Sequence, residues 1–193
     1  MRILTFIFVL FFTSSLALSG DDGISARALI INYSLKGAVE VSGLSTGETF
    51  EWSRYVRKSW SVIMGYRAAR DADGNRKRYS GTYMGGRFFP LNLGVPIYES
   101  RRANIISYTF EYMPYVELGV ITGRYLQQTI DALGSAERSA DFNGGFSGFG
   151  MFWLFSDLWV ADFNIGYELE IGTGGGVLSG QTSMLQVGLL RYF

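Results

Sequence analysis

Cysteine and histidine are both absent from this 193-residue chain. Without cysteine the chain can form neither a disulfide framework nor a thiolate metal site. Without histidine it lacks the commonest general base and the commonest ligand for transition metals. We therefore expect no metal site, no cofactor and no catalytic residue, and we assign none.

Proline is also scarce, and neither sign of charge is in excess. The chain has 3 prolines, 17 basic residues and 17 acidic residues, so its formal net charge is zero. A balanced charge argues against a nucleic-acid partner, which would need a basic surface. Glycine is abundant instead, at 25 residues, and aromatic side chains make up 16% of the chain.

Long hydrophobic runs are missing except at the start. The first residues combine a basic Arg2, an apolar run from Ile3 to Phe12 and small residues around Ala17, which is the order of a secretory signal peptide. An uncleaved membrane anchor is the alternative, but this run is about half of the roughly 20 residues that a spanning helix needs. We predict a signal peptide at 1–19 and a single domain at 20–193.

Apolar and polar residues alternate over long stretches of that domain. In ALIINYSLKGAVEVS, residues 28–42, the odd positions are mostly apolar and the even positions are mostly small or polar. Similar alternation runs through 59–68, 78–91 and 158–172. A period of two is that of a β-strand. The stretch 28–42 is longer than an ordinary strand of about 5–6 residues, whereas a strand that crosses a bilayer needs about 9–11.

Turn signals divide the domain into eight predicted strands. We place one break at 111–114, because Pro114 cannot donate to a sheet ladder and an even strand count returns both ends to the same side. The connections then alternate between short ones at 70–76, 111–114 and 156–158 and long ones at 43–58, 92–103, 124–141 and 172–182. The sequence predicts an all-β, antiparallel, up-and-down transmembrane barrel of eight strands; ten would require a hidden hairpin.

Alternation does not itself say which face points inward. A soluble barrel turns its apolar face in, whereas a membrane barrel turns that face to lipid around a polar lumen. Long strands and aromatic residues near the predicted strand ends, among them Trp60, Phe88, Phe89, Trp153 and Trp159, favour the membrane barrel. The polar face then carries the following lumen charges: Lys36, Glu40, Arg67, Arg78, Glu111, Glu117, Asp162, Glu168 and Glu170. Buried charges need partners, and both signs are present.

Two stretches do not fit this scheme cleanly. Arg87 interrupts a face formed by Tyr79, Tyr83 and Phe89, which suggests a bulge at the Gly85–Gly86 pair. Residues 142–155 are apolar on both faces with interleaved glycines, so their inward face stays open.

The last strand carries the most specific pattern. Leu185, Val187, Leu189 and Phe193 lie on one face, and they resemble the C-terminal signature of bacterial outer-membrane barrels, although Arg191 stands where that family usually has an apolar residue. The resemblance implies recognition by the barrel-assembly machinery. The stretches GTYMGGRFFP, MPYVELGVITG and LFSDLWVADFNIGYEL resemble strands of the small opacity-type or OmpX-like barrels.

This resemblance implies a bacterial outer-membrane protein, exported through the periplasm, that contacts lipid and lipopolysaccharide as a monomer. Enzymes among outer-membrane barrels rely as families on an active-site histidine, so the chain is expected to be non-enzymatic. We expect a structural or surface-interaction role with a side-chain-filled lumen. The alternatives are a narrow pore for small solutes or ions, and a soluble periplasmic barrel that binds an apolar ligand.

Overall fold

The computed structural model describes residues 22–37, 41–57, 59–71, 77–90, 112–131, 134–154, 159–173 and 177–192. These ranges contain eight β-strands: β1 (Asp22–Gly37), β2 (Val41–Arg57), β3 (Trp60–Asp71), β4 (Lys77–Phe88), β5 (Tyr112–Asp131), β6 (Gly134–Leu154), β7 (Trp159–Gly172) and β8 (Val177–Tyr192). No helix in this part of the chain is long and apolar enough to cross a membrane. The predicted signal peptide at 1–19 lies outside the described residues.

The strands close into one antiparallel barrel. Each strand pairs with the next along the chain, and β8 pairs back with β1. The shortest strands have 12 residues and the longest has 21, enough to cross a bilayer at a steep tilt. The predicted fold is confirmed, with eight strands. We call the end where β1 begins and β8 ends the terminal rim, and the end where β5 passes into β6 the hairpin rim.

The strand boundaries differ from the prediction between β1 and β3. Most of 43–58, predicted as a long loop, belongs to β2, so that prediction is wrong. Inward Thr49, Glu51 and Ser53 alternate there with outward Phe50 and Trp52. Because the inner-face residues of β2 are small and polar, a search for apolar alternation does not detect this strand. The strand predicted just before the break at 111–114 lies outside the described residues.

The hairpin of β5 and β6 is a second difference. β5 begins at Tyr112 and runs through Pro114, and at that point it pairs only with β6, because the ladder to β4 starts at Val116. A proline is tolerated where one side of the strand has no ladder. Residues 124–131 and 134–141, predicted as a long loop, are also strand. Both the break and the loop are therefore wrong predictions.

Large apolar side chains cover the outward face of the barrel. Ile165 on β7, Leu118 on β5 and Phe149 on β6 are 65%, 61% and 58% exposed. Further exposed members of this belt are Val62, Met64, Met84, Val120, Leu169, Leu185, Val187 and Leu189. Exposed apolar area on this scale belongs against hydrocarbon rather than water, and a closed barrel is one of the few folds that satisfies its backbone there.

Aromatic side chains gather at the terminal edge of this belt. The rings of Trp60 and Phe88 lie 4.7 Å apart, and those of Tyr112 and Trp153 stack at 6.2 Å. Such a girdle marks a membrane–water interface. Phe89, predicted to belong to it, is instead buried inside the barrel.

Glycines face the bulkiest inward side chains across the ladders. Gly65 lies directly opposite Tyr83, and Gly119 opposite Phe146. A Cβ at Gly65 would come within 2.6 Å of the Tyr83 ring, and one at Gly119 within 2.5 Å of the Phe146 ring. Charged side chains follow the same rule in the pairs Arg67–Gly81, Arg27–Gly188 and Glu117–Gly148. An eight-stranded barrel leaves room for side chains only, so glycine supplies the space that the large groups fill.

β1 turns its apolar face inward, contrary to the prediction. Leu29, Ile31 and Tyr33 are buried, whereas the alternating Ile30 is 44% exposed and Lys36 is also exposed. The interior therefore holds apolar as well as polar layers, and polarity alone does not identify the inner face of a strand.

β4 is inverted for the same reason. Its aromatic face, with Tyr79 and Tyr83, points inward, and Arg87 continues that face without any register shift at Gly85–Gly86. The predicted bulge is therefore wrong. The open question at β6 is also answered, because its even-numbered residues point inward, among them Phe142, Phe146 and Phe152.

Candidate functional site

The interior of the barrel holds a network of buried ion pairs, which has two groups. The first group joins two arginines to three carboxylates. Glu51 on β2 accepts bonds from both Arg27 on β1 and Arg87 on β4, the second at 2.9 Å. Arg87 also donates to Glu117 on β5 at 2.9 Å, and the Arg27 Nε lies 3.3 Å from an oxygen of Asp162 on β7. All five side chains are at most 1% exposed.

Tyrosine hydroxyls complete this first group. Tyr83 donates to Glu51 at 2.9 Å, and Tyr115 donates to Asp162 at 2.5 Å. The Arg87 guanidinium also lies over the Tyr115 ring, 4.4 Å from its centroid. A tyrosine thus supplies volume for the interior, a hydrogen bond for a carboxylate and a ring face for a cation.

The second group lies nearer the hairpin rim and contains one arginine. Arg67 on β3 pairs with Glu168 on β7, which also accepts a 2.8 Å bond from the Tyr79 hydroxyl. Glu170 accepts bonds from the hydroxyls of Tyr125 at 3.0 Å and Thr182 at 3.1 Å. The Arg67 guanidinium lies 4.0 Å from the Tyr83 ring centroid, so a tyrosine of the first group touches the cation of the second.

Apolar clusters lie on both sides of the first group. Near the terminal rim, five buried residues pack together: Phe89, Tyr115, Phe152, Val160 and Leu190. Toward the hairpin rim, a larger cluster surrounds the second group and includes Leu29, Ile31, Tyr33, Tyr79, Tyr125, Phe142 and Phe146. The charges are therefore enclosed by packed side chains rather than open to either rim.

The two groups of the network contain more carboxylates than arginines. The two groups contain three arginines, Arg27, Arg67 and Arg87, against five carboxylates, Glu51, Glu117, Asp162, Glu168 and Glu170. Buried charges cost several kcal/mol each in desolvation unless they are paired and hydrogen-bonded. Each of these eight side chains forms a hydrogen bond with a residue of another strand.

The structure brings together five of the nine predicted lumen charges. Arg67, Glu117, Asp162, Glu168 and Glu170 are buried in the network.

The assignment of Lys36 and Arg78 to the lumen is corrected. Both residues are exposed on the outward face. They belong to β1 and β4, the two strands whose apolar or aromatic face turns inward, so their polar face is the outer one. Glu40 and Glu111 lie outside the described residues.

Sequence reasoning missed three members of the network. Arg27 precedes the alternating stretch from which β1 was predicted, Glu51 falls in the predicted loop, and Arg87 looks like an interruption of an aromatic face. The signal that would identify all three is parity: each continues the inward alternation of its own strand. A charge on an otherwise aromatic inner face indicates a lumen ion pair in a narrow barrel.

Three of the four residues of the C-terminal signature lie on the outward face. Leu185, Val187 and Leu189 are 44%, 42% and 46% exposed, and Phe193 lies outside the described residues. The Arg191 guanidinium lies 5.5 Å from the ring centroid of Trp159 on β7. A cation at the interfacial girdle stacks there on an aromatic ring. No cluster of three or more metal-ligating side chains occurs within the described ranges.

No family model and no curated protein sequence matches the chain. Solved structures of the same fold do match. Neisserial surface protein A aligns with a TM-score of 0.64 at 11% identity, covering 91% of this chain and 98% of that one. Ail, the attachment invasion locus protein of Yersinia pestis, aligns with a TM-score of 0.56 at 14% identity, covering 91% and 100%. Ail has also been solved in complex with the heparin analogue sucrose octasulfate, and that structure aligns with a TM-score of 0.53 at 14% identity, covering 89% of this chain and 97% of that one.

At this identity the comparisons show the fold. The resemblance to small bacterial outer-membrane barrels is confirmed at that level. The closed antiparallel fold and the exposed apolar belt together identify an outer-membrane barrel protein.

Proposed function

We propose that this protein is a closed, non-enzymatic outer-membrane barrel that acts at the cell surface as a structural or interaction protein. The observation that carries the proposal is the enclosure of the ion network between packed side chains. Arg67 and Glu168 at its centre are fully buried, and Tyr115 and Leu190 toward the terminal rim are buried equally well. A continuous water path would leave some of these side chains exposed to the lumen.

Strand number supports a closed barrel over a pore. Eight strands enclose an interior that side chains can fill, whereas channels that conduct solutes need wider barrels. The glycines opposite Tyr83 and Phe146 let large rings approach the barrel axis, which narrows the lumen further. A pore for small solutes is therefore the weaker candidate.

The outward belt supports a membrane barrel over a soluble one. A soluble barrel that binds an apolar ligand would keep Ile165, Leu118 and Phe149 inside, but these side chains are more than half exposed. Its interior would also need an apolar cavity, and here the centre of the barrel is occupied by ion pairs.

The surface role is assigned to the projecting hairpin of β5 and β6. The ladder between β4 and β5 ends at Gln127, and the ladder between β6 and β7 begins at Phe142. The tip of the hairpin, residues 128–131 and 134–140, thus extends beyond both neighbouring strands, and its strands pair only with each other. Segments that extend from a rigid scaffold are the usual carriers of recognition.

Assembly is assigned to the last strand. We propose that the outward face of Leu185, Val187 and Leu189, continued by Phe193, is read by the barrel-assembly machinery. The exposure of these three side chains supports this role, because a recognition signal must be accessible before the strand meets lipid.

Conductance tests the proposal. The protein is refolded into a planar bilayer, and folding is verified by the gel shift between heated and unheated samples. Folded protein without channel openings is the expected result. Discrete, reproducible openings would contradict the closed barrel and favour the pore, and failure to insert would contradict the membrane barrel itself.

A further inference from the structure

An acidic side chain, Glu48, lies on the outward, lipid-facing wall of β2. Apolar residues flank it along the strand, with Leu44 on the same face toward the hairpin rim and Phe50 toward the terminal rim. Leu44 is 63% exposed, and Tyr66, the direct partner of Phe50 on β3, is 44% exposed. Glu48 therefore lies within the apolar belt, where a charged group is costly unless it has a partner.

The barrel supplies no such partner. The direct neighbours of Glu48 in the two ladders are Ala28 on β1 and Ala68 on β3, which have no polar side-chain atoms. The Glu48 side chain forms neither an ion pair nor a hydrogen bond with any residue of the ranges given above. Because both alanines are short, a group that approaches from the membrane can reach the carboxylate between them.

The complementary charge on this wall is Arg70. It lies two residues beyond Ala68 on β3, directly opposite Thr46 of β2, and its side chain is exposed. Arg70, like Glu48, forms no ion pair or hydrogen bond with another residue in the described part of the barrel. Outward side chains diverge on a convex wall, and these two charges do not meet within one barrel.

A second copy of the chain can bring the two charges together. Two barrels inserted in the same orientation are most simply related by a two-fold axis along the membrane normal. An axis that passes between β2 and β3 places β2 of each copy against β3 of the other. Glu48 of each copy then faces the wall that carries Arg70, so the symmetry forms the same contact twice.

Charge complementarity favours a second copy over the other occupants of this wall. An acyl chain offers no donor to the carboxylate and no acceptor to the guanidinium. A different protein would need an acid and a base in matching positions, whereas two-fold symmetry supplies both from one sequence. Ala28 and Ala68 permit close approach, as small residues do where membrane-spanning segments associate.

We propose that the outward wall of β2 and β3 is a self-association surface, where two copies pair in the membrane through reciprocal Glu48–Arg70 ion pairs. Guanidinium and carboxylate groups form strong, charge-assisted bonds. Two convex walls share a small contact area, so the pair is reversible and depends on the density of the protein in the membrane. The monomer expected from the resemblance is then the form at low density. This inference goes beyond the proposed function and requires no surface ligand.

Energy transfer between labelled copies in lipid vesicles tests the proposal. The chain has no cysteine, so the variant K36C, at an exposed position near the hairpin rim, carries a single donor or acceptor dye. We expect transfer above the level of random proximity. The transfer should rise with the protein-to-lipid ratio and fall when excess unlabelled wild-type protein is added.

Two neutral substitutions and two matched controls locate the surface. E48Q and R70Q, each made in the labelled chain, should weaken association by at least about tenfold, since each weakens both ion pairs of the dimer. The controls D141N and R124Q remove an exposed acid and an exposed base from β6 and β5, and they should associate like the wild type. E48Q and R70Q should leave the stability of a single barrel unchanged, because neither side chain has a partner in its described part.

Charge reversal tests the reciprocal pairing itself. E48R carries two cations on this wall and R70E carries two acids, so neither variant should pair with itself. A mixture of the two should associate, because every contact then again joins a cation to a carboxylate. The gel shift between heated and unheated samples verifies that each variant has folded.

The outcomes separate this inference from the proposed function. The surface would be overturned by folded wild-type protein without transfer at any density, by equal association of E48Q and D141N, or by a mixture of folded E48R and R70E that does not associate. In those cases the closed barrel would stand, provided that the wild-type protein still shifts on a gel. Loss of that shift in the wild-type protein would overturn both.

Discussion

Replacing Arg67 by methionine should destabilise the barrel strongly. Arg67 is the only cation among the described residues of the second interior group, where it pairs with Glu168. Methionine keeps an unbranched apolar stem but carries no charge, so the R67M variant leaves the buried carboxylate of Glu168 without its cation. The matched control is R70M, three residues along the same strand but on the exposed outward face.

The expected magnitude follows from the contacts of Arg67. Removing one partner of a buried ion pair costs about 3–5 kcal/mol. The guanidinium also lies 4.0 Å from the Tyr83 ring centroid and 5.0 Å from that of Phe146, and cation–π contacts contribute about 0.5–2 kcal/mol each. We expect R67M to lose about 4 kcal/mol of unfolding free energy and R70M to stay within about 0.5 kcal/mol of the wild type.

Urea unfolding in lipid vesicles, followed by tryptophan fluorescence, measures this difference. A third variant, R67M/E168Q, removes both charges of the pair and should lose less than the sum of the two single variants, by about 0.5–3 kcal/mol. If R67M is no less stable than R70M, Arg67 is not buried in an ion pair, and the description of the interior as a sealed network is refuted.

Three more substitutions test other parts of the structure. E51Q should cost about 2–4 kcal/mol, because it weakens two buried ion pairs, whereas E48Q on the outward face of the same strand should cost less than about 0.5 kcal/mol in the same urea assay. G119A should cost about 1–3 kcal/mol through crowding of the interior, whereas G86A, with its nearest neighbour 3.7 Å from the added carbon, should be neutral in thermal unfolding. I165R should make the free energy of folding into vesicles less favourable by about 2–4 kcal/mol, whereas I165M should fold normally, as judged by the gel-shift assay.

Each comparison has an outcome that contradicts it. Equal stability of E51Q and E48Q would mean that the parity of β2 is reversed. Equal stability of the two glycine variants would mean that the interior can accommodate an added carbon at Gly119 without crowding. Normal insertion of I165R would mean that the belt on β7 does not face lipid.

The fold was predictable from the sequence because its period is uniform. Alternation in β3 and β7 is complete and identifies the outward face directly, from Trp159 to Ile171 in β7. The inner face was less predictable because the size of a side chain, rather than its polarity, decides whether it fits in the lumen of a narrow barrel. Tyr79 and Tyr83 serve there as hydrogen-bond donors, so an aromatic face does not indicate lipid.

The candidate site was predictable only where a charged residue lies on a strand with one clearly apolar face. Glu168 and Asp162 on β7 meet this condition. Glu51 does not, because the inner face of β2 is small and polar over most of its length. Arg87 was missed because the aromatic face that it continues was expected to point outward, whereas in β4 that face points inward. Pairing between strands, rather than local pattern, decides which charges share the interior.

The seam between the first and last strands has a consequence for biogenesis. Arg27 bonds with Gln186 across that seam, over a separation of 159 residues, and it also meets Glu51 and Asp162 from the strands on either side. The contacts of Arg27 with Gln186 and Asp162 cannot form while the sheet is open between β1 and β8. An open intermediate therefore exposes its charged side to water, and dehydration of that side coincides with closure. The barrel therefore closes and buries these charges in one step. An open sheet inserted into hydrocarbon would expose them there, and assembly has to avoid that state.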